Sequence, residues 1–289
     1  MADTPENKDN FKTSQEITWC RGCGNFGIFV ALQNAFAELG WKPSDVLIVY
    51  GIGCHGHMVN YLNTFGFEGL HGRALPLATG AKLANKKLNV IVIAGDGDQL
   101  GEGGNHFIHA ARRNVDITCI IHDNQVYGLT VGQASPTSQK EFKSRTTPYG
   151  VVEEPINPLS LAIATDASFV ARSFSGDIKH LTKTIVEAIK HKGFSVVDVF
   201  QPCVTFNYVN TFSWFYQKVY KLEEQGYDPS NRAQAFEKSL ETGEKLPVGV
   251  FYKTEREVFE EELPQLKEMP LVDQSIENID IEKLLSEFI

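Results

Sequence analysis

Apolar residues recur along the first two hundred positions with two periods, one typical of helices and one typical of buried strands. Short unbroken apolar runs predict strands, and the longer amphipathic stretches between them predict helices. Strands and helices that alternate in this way form a mainly parallel sheet with helices on both faces. The pattern therefore predicts an α/β fold with strands near 46–50, 90–94, 117–121, 168–174 and 194–203, and helices near 27–40, 75–87, 103–114, 157–167 and 176–193.

The texture of the sequence changes after Cys203, where aromatic and charged residues are mixed and the tail becomes acidic. We expect the strand at 194–203 to be the last buried one. The chain then divides into an N-terminal arm at 1–17, a sheet domain at 18–203, and an extension at 204–289 that packs on the domain or on a partner.

Composition excludes several classes of protein. The 289 residues are 42% hydrophobic and 22% charged, with a net charge of −9. No cluster of Lys and Arg marks a surface for nucleic acid or anionic lipid. No apolar run approaches the roughly 20 residues of a membrane span, and the first residues are too polar for a secretory signal. Five cysteines at scattered spacings argue against a disulfide scaffold, so we expect a cytoplasmic protein with reduced thiols.

The segment GDGDQLGEGG, residues 95–104, follows a predicted strand with glycines and carboxylates. Asp96 lies at the end of this strand and Asn124 at the end of the next, so both side chains face one crevice of a parallel sheet. Hard oxygen ligands of this kind suit Mg²⁺, and exposed backbone amides before a helix suit phosphate. In the alternative, Asp96 caps a helix and Asn124 forms a turn.

Four cysteines are placed to share a metal. Cys20 and Cys23 form a C-x-x-C pair in a glycine-rich loop, while Cys54 and Cys203 each follow a strand. Four converging thiolates suit zinc or an iron–sulfur cluster, and spacing alone leaves both open. Cys119 lies inside the apolar run ITCII, so we expect it in the core.

A G-x-G-x-x-G pattern at Gly51, Gly53 and Gly56 also follows a strand, as in dinucleotide-binding folds. Such a site needs an acidic residue at the end of a second strand, about 20 residues further on. Glu68 lies at a comparable distance, but FGFEGLHGR reads as a loop. The pattern by itself is weak, and we do not expect a nicotinamide site.

GDG followed by DN resembles the thiamine diphosphate motif. The longer block of residues 95–138, GDGDQLGEGGNHFIHAARRNVDITCIIHDNQVYGLTVGQASPTS, resembles the β subunits of 2-oxoacid:ferredoxin oxidoreductases, specifically those of the 2-oxoglutarate branch. The resemblance extends from Thr18 to Asn207 and implies a thiamine-diphosphate-binding fold. It also implies three cofactors: thiamine diphosphate, Mg²⁺ and one 4Fe–4S cluster.

The resemblance assigns residues to each cofactor. The magnesium ligands are Asp96, Asn124 and the carbonyl of Val126, and the cluster ligands are the cysteines at 20, 23, 54 and 203. The remaining contacts with thiamine diphosphate are expected from two loops and two segments after strands, namely Ile52, Gly53, Cys54, His55, His71, Gly97, Asp98, Gly128 and Leu129, with residues 132–138 as a loop over the cofactor.

Other residues near these motifs have open roles. The resemblance places His71 against the diphosphate or the substrate. Arg73 either binds a substrate carboxylate or caps local structure. His55 and His57 flank the predicted cluster, where they either hydrogen-bond substrate or tune the reduction potential of the cluster. Val131 stands where relatives often have lysine.

The resemblance implies half of an active site. Thiamine enzymes use a glutamate against the aminopyrimidine and hold the cofactor between two domains, and this chain shows only the diphosphate half. We therefore expect a larger α subunit that supplies the glutamate, assembled as a dimer of heterodimers.

The implied reaction converts 2-oxoglutarate and coenzyme A to succinyl-CoA and CO₂ and passes electrons reversibly to ferredoxin. Three alternatives stay open: the same chemistry on pyruvate or another 2-oxoacid, a non-redox decarboxylase or carboligase subunit with structural zinc, and a non-catalytic electron-transfer or assembly subunit.

Overall fold

The computed structural model describes residues 7–277 and 279–288. Residues 1–6 of the expected arm, and Asn278 and Ile289 of the expected extension, lie outside this part of the chain. The helices are α1 Asn25–Glu38, α2 Ala74–Ala84, α3 Gly104–Arg113, α4 Pro158–Ala164, α5 Ile178–Lys190, α6 Phe212–Lys218, α7 Arg232–Ser239, α8 Phe259–Glu262 and α9 Ile281–Ser286. The strands are β1 Val46–Tyr50, β2 Phe65–Glu68, β3 Asn89–Gly95, β4 Thr118–Asp123, β5 Val126–Tyr127, β6 Gln133–Ala134, β7 Phe169–Phe174, β8 Ser195–Phe200, β9 Val219–Lys221 and β10 Leu246–Lys253.

The predicted parallel sheet is present and has eight strands in the order β2-β1-β3-β4-β8-β7-β10-β9. The first six strands of this order are mutually parallel. β10 runs antiparallel to β7, and β9 pairs parallel with β10. A separate two-stranded ribbon joins β5 and β6. The α/β fold class is therefore confirmed.

Alternation along β3 explains why helices cover both faces of the sheet. Ile91 and Ile93 pack in one apolar core with α1 and α5, whereas Val90 and Val92 pack in a second core with α2, α3 and α4. Successive side chains of a strand point to opposite faces, so a strand buried on both sides must be apolar throughout.

The ends of several helices carry the glycine and the capping residues expected from the sequence. Gly40 adopts φ +68° shortly after α1, a conformation that favours glycine. Asn157 and Asp177 accept hydrogen bonds from backbone amides in the first turns of α4 and α5. The segment Gly97–Glu102, predicted only as a glycine-rich connection, forms a π-helical turn that leads into α3.

Two sequence-based assignments are wrong. The strand at 194–203 is not the last buried one, because β10 in the extension enters the sheet with Phe251 fully buried. The strand pattern of β10 is hard to recognise in the sequence, because the strand contains Pro247, Gly249 and a bulge near Val250. Phe65–Glu68 is a strand rather than a loop, and its residues are all exposed at the sheet edge, so it lacks the buried alternation that identifies strands.

Polar contacts fasten the extension to the sheet domain. The side chain of Asn114, fully buried, donates to the carbonyls of Arg256 and Glu257. Glu260 accepts from the backbone amide of Asp116, whose carboxylate pairs with buried Lys82 at 2.8 Å. Across the described residues, no helix combines the length and apolarity needed to cross a bilayer.

Candidate cofactor and cluster site

A cavity of about 70 Å³ opens at the carboxyl ends of β1, β3 and β4. Parallel sheets bind ligands at such strand ends. The cavity gathers the residues predicted for the diphosphate and metal from four separate parts of the chain. Its lining comprises Ile52, Gly53, Cys54, His55, His71, Gly95, Asp96, Gly97, Asp98, Asn124, Val126, Tyr127, Gly128, Leu129 and Thr130.

Asp96 is buried at the end of β3 and is held by two hydroxyl groups. Oδ2 accepts hydrogen bonds from Ser135 Oγ at 2.5 Å and from Thr137 Oγ1 at 2.6 Å. Burial raises the pKa of Asp96 to about 6, although these hydroxyl donors oppose the rise. The alternative role of Asp96 as a helix cap is not observed, since its side chain makes no capping bond to the following turn.

Thr137 touches a second buried carboxylate. Its Oγ1 lies 2.8 Å from Asp123 Oδ1 as well as 2.6 Å from Asp96 Oδ2. Burial and the nearby carboxylates of Asp198 and Asp96 raise the pKa of Asp123 well above its usual range. A hydroxyl has one proton and donates to only one carboxylate at a time. Thr137 therefore couples the positions of Asp96 and Asp123.

Asn124 forms a turn in the wall of the cavity. Its Oδ1 accepts from the amide of Val126 at 3.0 Å, and its Nδ2 donates to Gln201 Oε1 at 3.2 Å. Gln125 between them adopts φ +60°. The turn predicted as the alternative is thus present, and it is compatible with metal binding because a carbonyl-type oxygen has a second lone pair.

Asp98 fastens two loops to one another. Its Oδ1 accepts from the amides of Ile52 at 3.0 Å and Gly72 at 2.8 Å, and lies 3.0 Å from His71 Nδ1. A Cβ on Gly51 would lie 1.9 Å from Asp98 Oδ2, so any side chain there would displace the Asp98 carboxylate. Asp98 lines the cavity, but one carboxylate oxygen is engaged by the protein.

His55 lies beneath the glycine loop rather than free in the cavity. Its Nε2 accepts from the amide of Gly95 at 3.0 Å, which requires a neutral ring. Burial lowers the pKa of His55 to about 3, and the neighbouring His71 and His57 contribute to the lowering. The ring supports the backbone of Gly53 and Gly95, where a Cβ would approach it within 3 Å.

His71 and Arg73 have different placements. The His71 side chain is 37% exposed at the cavity wall, between Asp98 and the ring of Tyr127. Arg73 Nη1 donates to the carbonyls of His71, Gly72 and Glu102. Of the two roles left open for Arg73, these bonds favour capping of local structure.

The four predicted cluster cysteines line a second cavity of about 260 Å³. Burial, together with the other three cysteines, raises the pKa of the Cys23 thiol to about 12. For Cys54, burial together with Cys203 and Cys20 raises the pKa of the thiol to about 11. The thiols line this cavity without converging on one position. Among the described residues, no three His, Cys, Asp or Glu side chains are placed to hold a single metal ion. Cys119 is buried in β4, as expected.

The two cavities share a wall formed by Cys54, Asn124, Gly128 and Leu129. Gly128 lies beside the cysteines, and a Cβ there would be in ordinary van der Waals contact with Cys54 Sγ at 3.6 Å and Cys203 Sγ at 3.8 Å. The residues predicted for the two cofactors therefore meet at this shared wall.

Several polar residues of the cysteine cavity were not predicted from the sequence. Trp19 Nε1 donates to the carbonyl of Cys54 at 2.6 Å, which joins the C-x-x-C loop to the loop after β1. Asn25 is fully buried, and its Nδ2 has no hydrogen-bond partner in the described structure, while His122 engages its Oδ1. Gln201 Nε2 lies 3.4 Å from Cys23 Sγ.

Tyr127 was not predicted as a site residue, and Ser135 and Thr137 were predicted only as members of a loop over the cofactor, with no contact to Asp96. The Tyr127 ring covers Gly97, where a Cβ would lie 2.3 Å from it. Ser135 and Thr137 belong to the 132–138 segment, whose composition predicts only a turn. Proximity of these hydroxyls to Asp96 depends on tertiary contacts that local sequence does not encode.

The sequence predicts Glu68 in a loop, which argues against a dinucleotide site. The structure places Glu68 in a strand instead. Glu68 ends a strand, β2, which lies beside β1. However, a five-residue 3₁₀ turn, Gly56–Asn60, follows the glycines, where a dinucleotide fold has a long helix whose N-terminus faces the pyrophosphate. The space under Gly53 is filled by His55.

Comparison with protein families defines the class. The family described as thiamine pyrophosphate enzyme, C-terminal TPP binding domain, matches residues 51–199, just over half of the chain. A second family, described as the C terminal of the pyruvate ferredoxin oxidoreductase beta subunit, matches residues 203–268. The fold and this family match thus define a thiamine-pyrophosphate-binding protein.

Individual relatives narrow the class. The chain is 47% identical over 255 residues to a 2-oxoacid:ferredoxin oxidoreductase subunit beta of a Sulfolobus species, covering 84% of each chain. It is 39% identical over 261 residues to the 2-oxoglutarate synthase subunit KorB of Archaeoglobus fulgidus, covering 90% of this chain and 94% of the relative. The chain belongs to the β subunits of the 2-oxoacid:ferredoxin oxidoreductases.

A solved structure has the same fold. The chain matches the 2-oxoglutarate:ferredoxin oxidoreductase from Magnetococcus marinus, solved with 2-oxoglutarate, coenzyme A and succinyl-CoA bound, with a TM-score of 0.90 and 36% identity. The match covers 98% of this chain and 96% of the other. Because the match leaves so little of this chain uncovered, most of the extension is part of the shared fold.

Proposed function

We propose that this chain is the β subunit of a CoA-dependent 2-oxoglutarate:ferredoxin oxidoreductase. The reaction is 2-oxoglutarate, coenzyme A and oxidised ferredoxin to succinyl-CoA, CO₂ and reduced ferredoxin, and it is reversible. One observation supports this function above the others: the predicted thiamine cavity and the four-cysteine cavity share the wall at Gly128. Such contact provides a short path for the electrons that oxidative decarboxylation releases.

The residues of the first cavity fit Mg²⁺ and the diphosphate. Asp96, the Asn124 oxygen and the Val126 carbonyl offer hard oxygens, and the metal keeps other positions for phosphate and water. Bound thiamine diphosphate supplies the carbanion chemistry of decarboxylation. The protein's own part is to orient Asp96 through Ser135 and Thr137, while Gly97 lets the Tyr127 ring pack directly on the backbone beside Asp96.

The second cavity fits a 4Fe–4S cluster. Cys20, Cys23, Cys54 and Cys203 surround it, and each thiolate would bind a different iron. The buried, unpartnered Nδ2 of Asn25 would find an acceptor in a cluster sulfide or cysteine sulfur. Coordination by iron would also overcome the raised thiol pKa values, because a bound metal holds the thiolate form.

In this proposal the active site is completed by a larger α subunit. No glutamate of the described residues lines the diphosphate cavity. The partner would contribute the glutamate for the aminopyrimidine, and the assembly would be a cytoplasmic dimer of heterodimers. His71, half-exposed at the cavity wall, is the chain's candidate contact with substrate or diphosphate.

Substrate-dependent acceptor reduction tests the function. The complex with its α partner, purified without oxygen, is mixed with oxidised ferredoxin and either 2-oxoglutarate or pyruvate, with and without coenzyme A. We expect reduction that requires coenzyme A and is faster with 2-oxoglutarate. Faster reduction with pyruvate would revise the substrate, and CO₂ release without acceptor reduction would overturn the redox function.

A further inference from the structure

Gln201 occupies the boundary between the two cavities. It follows β8 directly, is 1% exposed, and lines the cysteine cavity. Its Oε1 accepts from Asn124 Nδ2 at 3.2 Å, and its Nε2 faces Cys23 Sγ at 3.4 Å and the Pro202 carbonyl at 3.1 Å. One side chain thus contacts a predicted magnesium ligand and a predicted cluster ligand.

The orientation of the Gln201 amide follows from its neighbours. The Cys23 sulfur and the Pro202 carbonyl are both acceptors, so the NH₂ group must face them. The reverse orientation would place Oε1 against two acceptors and the NH₂ group against the Asn124 NH₂ group. The same bonds turn the Asn124 amide so that its nitrogen faces Gln201 and its oxygen faces the Val126 amide.

We propose that Gln201 is a positioning residue that serves both cofactors through opposite ends of its amide. Its oxygen fixes the Asn124 oxygen toward Mg²⁺, and its N–H donates to the Cys23 sulfur and favours the reduced cluster. Outer partners of metal ligands tune both affinity and potential in this way. The inference rests on the proposed function, since it needs the metal and the cluster at these sites.

The two roles separate in two variants. Gln201→Leu removes the acceptor and the donor, so magnesium affinity falls by about 10-fold or more and the cluster midpoint potential becomes more negative. Gln201→Glu, at pH 8, keeps an oxygen for Asn124 but replaces the N–H donor with a second, negatively charged oxygen that faces Cys23 and Pro202. Loss of the donor and the added charge both make the potential more negative, while magnesium affinity stays at or above that of the wild type.

The experiment uses the complex with its α partner, purified without oxygen. Magnesium affinity is measured from thiamine diphosphate binding at increasing Mg²⁺ concentration, and the midpoint potential from the reduced-cluster EPR signal during a redox titration. Gln33→Leu is the matched control, since Gln33 is buried in α1 and lines neither cavity. We expect both properties of this control to equal those of the wild type.

The outcomes separate this inference from the proposed function. A wild-type complex with neither an iron–sulfur EPR signal nor magnesium-dependent cofactor binding would contradict the function itself. A wild-type complex with both, whose potential and magnesium affinity are unchanged in Gln201→Leu, would overturn the role of Gln201. A shifted potential with unchanged magnesium affinity in both variants would remove the Asn124 half of the proposal.

Discussion

Single hydroxyl groups hold the proposed magnesium ligand in place. Thr137 contacts Asp96 and Asp123, and Ser135 adds a second bond to Asp96. Neither hydroxyl is recognisable from sequence, although Asp96 and Asn124 are, because the GDG and DN motifs place chemistry at strand ends. The roles of Gln201 and Tyr127 cannot be predicted from the sequence either, since they depend on which side chains face these residues.

Removing the Thr137 hydroxyl should loosen the metal site. In Thr137→Val we expect magnesium-dependent binding of thiamine diphosphate to weaken by about 10- to 100-fold, the usual cost of losing an outer partner of a ligand. Thr137→Ser should restore most of it. Thr147→Val, which removes a hydroxyl bonded to Ser144 in the same loop region, serves as control and should bind normally. Normal binding by Thr137→Val would show that Asp96 is held by other contacts.

His191 should make stability depend on pH. Burial lowers its pKa to about 4, against 6.5 for an unperturbed histidine. Between pH 6.5 and 4 the unfolded chain therefore binds a proton at His191 that the folded chain does not bind. The contribution of neutral His191 to folding stability is fully present above pH 6.5 and is lost as pH falls toward 4.

The measurement compares thermal midpoints at pH 7.0 and 5.5. The wild type should lose more of its midpoint on acidification than His191→Asn, in which an amide can replace the bond to Ser168. Equal losses in the two proteins would mean that His191 is protonated in the folded state.

At the scale of elements, the parallel strands and their helices were predictable because burial on both faces makes the strands continuously apolar. The additions at the two edges of the sheet were not. β2 is exposed throughout, and β10 has a proline, a glycine of positive φ and a bulge. The π-helical turn at Gly97–Glu102 also lacks a sequence signature, since its glycines fit any tight connection.

Glycines of the loop after β1 should differ from glycines of the helices. Gly51→Ala drives a Cβ against Asp98 Oδ2 and so displaces the carboxylate whose other oxygen, Oδ1, fastens that loop to Gly72. We expect a destabilisation of about 1–3 kcal/mol from overpacking, together with weaker cofactor binding. Gly80→Ala, in open space on α2, should instead stabilise the helix by about 0.5–1 kcal/mol. Thermal midpoints that shift equally in the two variants would refute this contrast.

Val131 offers a test of strain in the loop between the cavities. It adopts φ +72°, which a β-branched side chain rarely does, and it is 53% exposed. Val131→Gly should therefore raise the thermal midpoint, since relief of about 1–2 kcal/mol exceeds the little apolar contact that is lost. Val152→Gly, an exposed valine of ordinary φ, should lower the midpoint or leave it unchanged. A lower midpoint for Val131→Gly would show that the conformation is not strained.

At the scale of the whole molecule, two cavities built from distant parts of the chain meet at the carboxyl ends of one sheet. Residues from the N-terminal loop, the loop after β1 and the end of β8 converge on the cysteine cavity. Sequence spacing allowed either zinc or an iron–sulfur cluster for these cysteines. The identity of that metal separates an oxidoreductase from a non-redox thiamine enzyme.

The most direct test is therefore the metal and sulfide content of the complex purified without oxygen, with a visible spectrum before and after dithionite. We predict about four irons and four sulfides for the one cluster in each copy of this chain, with colour that bleaches on reduction. Zinc without sulfide would remove the electron path between the cavities and contradict the proposed redox function.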